Sequence, residues 1–180
     1  MARGWKKLSS KTVYSNPWIK VQEDKVIGPD GKETIYSYLE KSAGNFIIAL
    51  DDGGFVYLIR EYRYPPKKEF LQLPGGVVDS DDVLGQAKKE LREETGITAD
   101  KWERLGGFYV APSHETNYIN VFLATGLDVS GLKIDNQEHD EAIGDIIRVS
   151  VPDLRQMVLA GEVECGITIA ALNLFFLKNG

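Results

Sequence analysis

The chain of 180 residues has little of what usually marks a special chemistry. A single cysteine, Cys165, excludes an intrachain disulfide. The two histidines, His114 and His139, lie far apart in sequence with no second cysteine, which excludes the ligand spacing of a structural zinc site. No run of about 18 apolar residues occurs, so no membrane-spanning helix is expected. The opening MARGWKKLSS carries positive charge but lacks the apolar stretch of a signal peptide, which leaves the cytoplasm as the expected compartment. Repeats and low-complexity segments are also missing. Positive charge is the minority sign, with 21 lysines and arginines against 27 aspartates and glutamates and a formal net charge of −6. This balance argues against a nucleic-acid or anionic-membrane partner held mainly by charge.

The residues present are those of a soluble globular protein, 43% hydrophobic and 27% charged. Residues 11–42 alternate as antiparallel strands about the turn GPDGKE, in which Pro29, Asp30 and Gly31 predict a hairpin. NFIIAL and FVYLIREYRY are two apolar strands whose linker DDGG predicts a second hairpin. KEFLQLPGGVV is a short strand running into a Pro-Gly-Gly corner. A helix is expected from DSDD, where acids and a serine supply an N-cap, to the stop at Gly96, with Leu84, Ala87 and Leu91 as its buried stripe. The strands WERLGGFYV, NYINVFLATGL and DIIRVSV follow, and then the helices VPDLRQMVLAG and ITIAALNLFFLKN. Strands, one helix, more strands and closing helices predict an α+β chain, with an α/β/α sandwich on a mixed sheet. Cys165 lies at the approach to the last helix and reads as a small core residue.

One stretch of that first helix raises a question. AKKELREETG puts Glu90, Glu93 and Glu94 on neighbouring positions of one face. Like charges at this spacing cost an isolated helix roughly 0.2–0.5 kcal/mol per pair. Either Lys88, Lys89 and Arg92 simply make this a solvated, salt-bridged face, or a cation belongs among the acids. Hard divalent cations such as Mg²⁺ take oxygen ligands, and carboxylates one turn apart on a helix can converge on one ion. Such an ion would also offset the negative field that an anionic substrate would meet.

Read as a unit, GGVVDSDDVLGQAKKELREETGI resembles the Nudix box, a glycine loop leading into a helix that ends Arg-Glu-x-x-Glu-Glu-x-Gly. Two residues depart from that pattern: Lys89 stands where the family has arginine, and Asp81 replaces the first glutamate. Counting the loop from Gly75 restores its spacing. The resemblance implies a Nudix fold and a Mg²⁺-dependent hydrolase, with Mn²⁺ as an alternative cation. It implies Glu90 and Glu94 as metal ligands, Glu93 as a direct or water-mediated one with a catalytic part, and the Gly75 carbonyl as another ligand.

The likeness extends to the N-terminal hairpin, to EYRYPPKKEFLQLPGG and to GEVECGITIAALNLFFL, and is to the branch that splits ADP-ribose and other nucleoside diphosphate sugars. In that branch a proline follows the box by about fifteen residues; Pro112 is fifteen past Ile97, although Ser113 follows it where the branch has glycine. Arg63, in REYRYP, matches a phosphate-contacting position, and a guanidinium suits phosphate oxygens bidentately. The general base is expected in the acidic loop DNQEHDEAIGD, at Glu141 or else Asp145, with Glu138 and Asp140 behind them. The branch also implies a homodimer with an exchanged N-terminal sheet, in which aromatics at Trp18 and Tyr36 hold the nucleobase. The expected organisation is therefore residues 1–43 as a β-sheet subdomain for dimerisation and base binding, and residues 44–180 as the hydrolase domain. A nucleotide sensor without turnover and a nucleoside triphosphate pyrophosphatase are the competing readings.

Overall fold

The computed structural model describes residues 4–132 and 143–179, which divide into two units. One unit joins the residues up to Ala43 with Tyr109–Tyr118, and the other joins Gly44–Phe108 with the chain from Ile119 onward.

The first unit is a three-stranded antiparallel sheet of β1 (Lys6–Ser15), β2 (Lys20–Ile27) and β3 (Glu33–Glu40), in that order. The β2–β3 hairpin turns where the sequence places it. Gly31, at φ 77°, donates its N–H to the Gly28 carbonyl at 2.9 Å, and Asp30 Oδ1 accepts from Lys32 N at 3.1 Å. Its register runs from Lys20 opposite Glu40 to Ile27 opposite Glu33. The stretch expected as strand from Lys11 onward breaks at the Asn16 turn, and its first part belongs to a separate β1 that reaches back to Lys6, where exposed residues select no face. The side chain of Asn16 makes the β1–β2 turn, accepting from the N–H of Trp18 at 2.9 Å and of Ile19 at 2.7 Å. A hydrogen bond from Ser10 on β1, joined by Lys7 and opposed by burial, holds the Asp24 carboxyl on β2 below the usual range. The segment Tyr109–Tyr118 runs beside β3, with Leu39 N donating to His114 O at 2.8 Å and Thr116 N to Leu39 O at 3.0 Å.

The second unit carries helices on both sides of its strands. β4 (Gly44–Ala49) is buried at every position and pairs in parallel with β8 (Tyr118–Asp128), beyond which lies β7 (Thr98–Tyr109). β5 (Phe55–Arg63) lies between β6 (Lys68–Gln72) and β9 (Ile143–Ser150), antiparallel to both. Alternate side chains of a strand point to opposite faces, and here that divides the core in two. Phe46, Ile48, Val56 and Leu58 pack with Leu154 of α2 (Val151–Ala160) and with Ala171, Leu172 and Phe175 of α3 (Gly166–Asn179). Ile47, Ala49 and Tyr57 pack instead with Ala87 and Leu91 of α1 (Val83–Thr95) and with Ile97. The two-sided arrangement is the expected α+β sandwich on mixed strands.

Two local expectations are corrected. The DDGG linker does turn the chain, with Gly54 N on Asp51 O at 3.0 Å, yet β4 and β5 do not form a ladder. Only the bridge Leu50–Val56 joins their ends among the described residues. A turn brings two strands together, but these find other partners, β8 for β4 and β6 and β9 for β5. On α1, Leu84 is 36% exposed in the first turn, and the buried face is instead Ala87, Leu91, Glu94 and Thr95.

Candidate active site

The site is assembled from a glycine corner and one face of α1, both in the second unit. Pro74–Gly76 runs alongside β4: Ile47 N donates to Pro74 O at 2.9 Å, and Asn45 exchanges bonds with Gly76 at 2.9 and 3.1 Å. Contact is so close that a Cβ on Gly75 would lie 2.1 Å from the Asn45 carbonyl oxygen, so only glycine fits. A Cβ on Gly76 would meet the Glu90 carboxyl carbon at 2.5 Å. The two glycines therefore let the backbone approach both the sheet and the helical acids.

Helix α1 is held at both ends. Asp82 is the N-cap and accepts from Gly85 N at 2.9 Å, while Gly96 closes the helix in the left-handed conformation at φ 76°. Burial of Ala87 and Leu91 fixes the helix's rotation, and a buried leucine alone contributes about 1.5–3 kcal/mol. That rotation turns Glu90 and Glu94 toward the glycine corner. Glu94 is only 5% exposed and accepts from the Gly75 N–H at 2.8 Å; half-buried Glu90 accepts from Gln86 Nε2 at 2.7 Å. Glu93 lies on the exposed flank with Lys89 3.7 Å away, so lysine at the box's arginine position pairs with an acid of the same helix.

The donor set suits a hard divalent cation. Two carboxylates a turn apart face one corner, and the carbonyls of Pro74 and Gly76 are used by β4 while that of Gly75 is not an acceptor in this pairing. Among the described residues no three acid, histidine or cysteine groups close on one point, and Glu94 and Glu90 each use one carboxylate oxygen in the bonds above.

Asn45 was not anticipated by the sequence analysis. It is fully buried on β4, its Nδ2 donates to Val83 O in the first turn of α1 at 2.9 Å, and its Oδ1 has no hydrogen-bond partner among the described residues. An unsatisfied buried acceptor costs about 1–3 kcal/mol, which singles the atom out. Its only sequence signal is an amide in an otherwise apolar strand.

The remaining expected residues are distributed over both units. Arg63, at the end of β5, pairs with Glu61 at 2.7 Å and reaches Gln72 Oε1 at 3.4 Å, while the Gln72 amide donates to Glu61. Gln72 is 2% exposed, so the guanidinium rests on a built polar cluster and is still half exposed itself. In the first unit Trp18 is 84% exposed and sits in the β1–β2 turn, just ahead of the strand rather than on it. Tyr36, on β3, packs edge-on against Trp5 with centroids 5.4 Å apart and donates its hydroxyl to Ser113 O at 2.9 Å. Pro112 is exposed in a turn closed by His114 N on Ala111 O at 2.8 Å. Glu141 lies outside the described residues, as do Glu138 and Asp140; Asp145 is exposed on β9.

A hollow of about 440 Å³ is lined by none of these residues but by Asp51, Tyr57, Leu127 and Arg148 among others. There Arg148 pairs with Asp51 at 2.7 Å and covers the Phe55 ring at 3.6 Å. Burial opposes ionisation of Asp51, but Arg148 and the N–H groups of Phe55 and Gly53 outweigh it and hold the carboxyl below its ordinary value. This hollow reads as a structural clamp between the β4–β5 turn and β9.

Comparison with known proteins points the same way as the glycine corner. The profile described as NUDIX domain matches residues 39–164, and one described as nucleoside diphosphate sugar hydrolase N-terminal domain matches residues 5–39. An ADP-ribose pyrophosphatase of Mycobacterium tuberculosis is 29% identical over 170 residues, covering 92% of this chain and 80% of the relative. One of Bacillus subtilis is 26% identical over 175 residues, covering 97% and 94%. A crystal structure of an ADP compounds hydrolase superposes with a TM-score of 0.83 at 21% identity, over 97% of this chain and 94% of that one, a likeness of fold.

Proposed function

The chain belongs to the Nudix family and is a hydrolase, and from that premise we propose that it splits the pyrophosphate of ADP-ribose or another nucleoside diphosphate sugar. The products are a nucleoside monophosphate and a sugar phosphate. The observation that carries this reading is the meeting of Glu90 and Glu94 with the Gly75–Gly76 corner, where buried Glu94 accepts from a bare backbone N–H. The two relatives named for this substrate match nearly the whole chain.

Nudix hydrolases use divalent metal ions; we assign Mg²⁺ here, with Mn²⁺ able to replace it. Glu90, Glu94 and the Gly75 carbonyl would hold the ion, with Glu93 on the flank available directly or through water. Bound there, it would neutralise charge developing on the phosphoryl oxygens and favour attack by water. The chain's own groups do the rest. Arg63, oriented by Glu61 and Gln72, brings its half-exposed guanidinium to a phosphate. Glu141 takes the proton of the attacking water, or Asp145 does, and water adds in line to one phosphorus while the bridging oxygen leaves. Trp18 and Tyr36 supply flat faces for the nucleobase, and Pro112 shapes the loop that discriminates among sugars. Residues 1–43 serve dimerisation and base binding, residues 44–180 the chemistry, and the working species is a cytoplasmic homodimer with exchanged N-terminal sheets. Among the described residues no helix is long and apolar enough to cross a membrane.

The test is a panel of nucleotide sugars with Mg²⁺ followed by phosphatase-coupled phosphate release, beside a panel of nucleoside triphosphates followed by pyrophosphatase-coupled phosphate release. Release from ADP-ribose or a related sugar supports the proposal. Release from triphosphates alone makes the protein a triphosphate pyrophosphatase, and tight nucleotide binding with no release makes it a sensor.

A further inference from the structure

We infer that Asn45 is a positioning residue for divalent-cation binding, locking the glycine corner to the first turn of α1 and using its buried Oδ1 as the acceptor for an ordered water beneath the site. The inference rests on the assignment of the cation to Gly75, Glu90 and Glu94. Three bonds carry the locking. The main chain of Asn45 accepts from Gly76 N at 3.1 Å and donates to Gly76 O at 2.9 Å, while its Nδ2 donates to Val83 O at 2.9 Å. One residue of β4 thus touches both pieces that carry the proposed ligands, the loop at positions 75 and 76 and the helix that begins at Val83. The corner lies so close to β4 that a side chain at Gly75 would collide with the same Asn45 carbonyl.

The side chain's orientation follows from the donor rule. A carbonyl such as Val83 O needs an N–H, so the amide must present Nδ2 to it and Oδ1 elsewhere. Oδ1 is then a fully buried acceptor without a partner among the described residues. Such atoms in native proteins are met by water where a site is polar enough to hold it. The surroundings here include the Glu90 and Glu94 carboxylates at the same corner. A leucine or valine would fill the strand position as well, so the amide is explained by what it holds.

Binding of Mn²⁺, read as loss of the free-ion electron paramagnetic resonance signal, tests this on the full chain. Asn45→Leu keeps the volume but neither donates to Val83 O nor accepts; Asn45→Ala loses the volume as well. Each should weaken Mn²⁺ binding by about tenfold or more, the range seen when groups that orient metal ligands are removed. The kcat at saturating Mn²⁺ should recover much of its value. Glu94→Gln is the control for the site itself. If Glu94→Gln binds Mn²⁺ as the parent does, the cation assignment fails. If it loses binding while folded Asn45 variants keep it, the Asn45 inference alone is overturned. Should the variants not fold, amide exchange of the unaltered protein decides. Mg²⁺ should then slow exchange at Asn45, Gly76 and the first turn of α1 together. Protection confined to the later turns of α1 overturns the inference.

Discussion

Gly75 N–H and Glu94 Oε2 lie 2.8 Å apart although nineteen residues separate them in the chain. This bond joins the corner after β6 to the penultimate residue of α1, and it places a nearly buried carboxylate against bare backbone. Glu94→Gln preserves the acceptor for Gly75 N–H and the side-chain volume but removes the charge that a cation needs. Turnover should fall by orders of magnitude while the melting curve stays close to that of the parent. Chelation of the divalent cation should abolish activity and spare the fold. Normal turnover in either experiment would sink the metal-helix reading.

The two glycines of the corner should fail differently. Gly75→Ala drives a Cβ into backbone, 2.1 Å from the Asn45 carbonyl oxygen, and overpacking against an element that cannot yield should cost about 3 kcal/mol or more. Gly76→Ala meets the end of the Glu90 side chain, which can swing away, so stability should change by no more than about 1 kcal/mol. The second variant should lose cation affinity instead. Denaturant unfolding and Mn²⁺ titration of both proteins separate the two outcomes.

Trp18 is exposed and packs into no core, so Trp18→Ala should leave the melting temperature unchanged. Aromatic stacking contributes about 1–3 kcal/mol per base, and its loss should raise KM by about tenfold with a smaller effect on kcat. An unchanged KM would remove Trp18 from substrate binding. Light scattering should give twice the chain mass, and a monomer would remove the shared base site.

For the general base, Glu141→Gln should lower kcat far more than it weakens substrate binding, because the loss falls on the chemical step. Transfer of that defect to Asp145→Asn would move the assignment to the start of β9. Two silent variants would place the base outside this loop.

The Asp51–Arg148 clamp gives stability a defined pH dependence. The folded value of Asp51 is depressed from 3.8, so its contribution is present above that pH and is lost as pH falls through the lower folded value. Arg148 is shifted upward by its hydrogen bond to Asp51, and its contribution would be lost only in strong alkali. Asp51→Asn should therefore destabilise by about 1 kcal/mol at neutral pH, a modest figure because Arg148 is half exposed and screened. Melting temperatures of the two proteins should converge below about pH 4. A constant gap down to pH 2 would show that the clamp is not acting through the carboxylate.

Local chemistry made α1 and its ends legible from sequence alone: capping at Asp82, the apolar spacing of Ala87 and Leu91, and the stop at Gly96 depend on near neighbours. The same holds for the Gly28–Gly31 turn, for α2 and α3, and for the box whose glycines and glutamates pointed to the family. Tertiary structure decided what depends on distant partners. β1 has no amphipathic pattern and exists by backbone pairing with β2. β4 and β5 part after DDGG because local turn geometry cannot choose the strand beside each, and the runs Phe46–Ala49 and Val56–Ile59 are buried on both faces. The cluster of Glu61, Arg63 and Gln72 depends on the β5–β6 register, and the burial of Asn45 on a corner thirty residues later in the chain. Sequence specified which groups could bind a cation and a phosphate. The fold decided which carboxylates turn inward and what holds the backbone beneath them, because burial and non-local hydrogen bonds are properties of the packed chain.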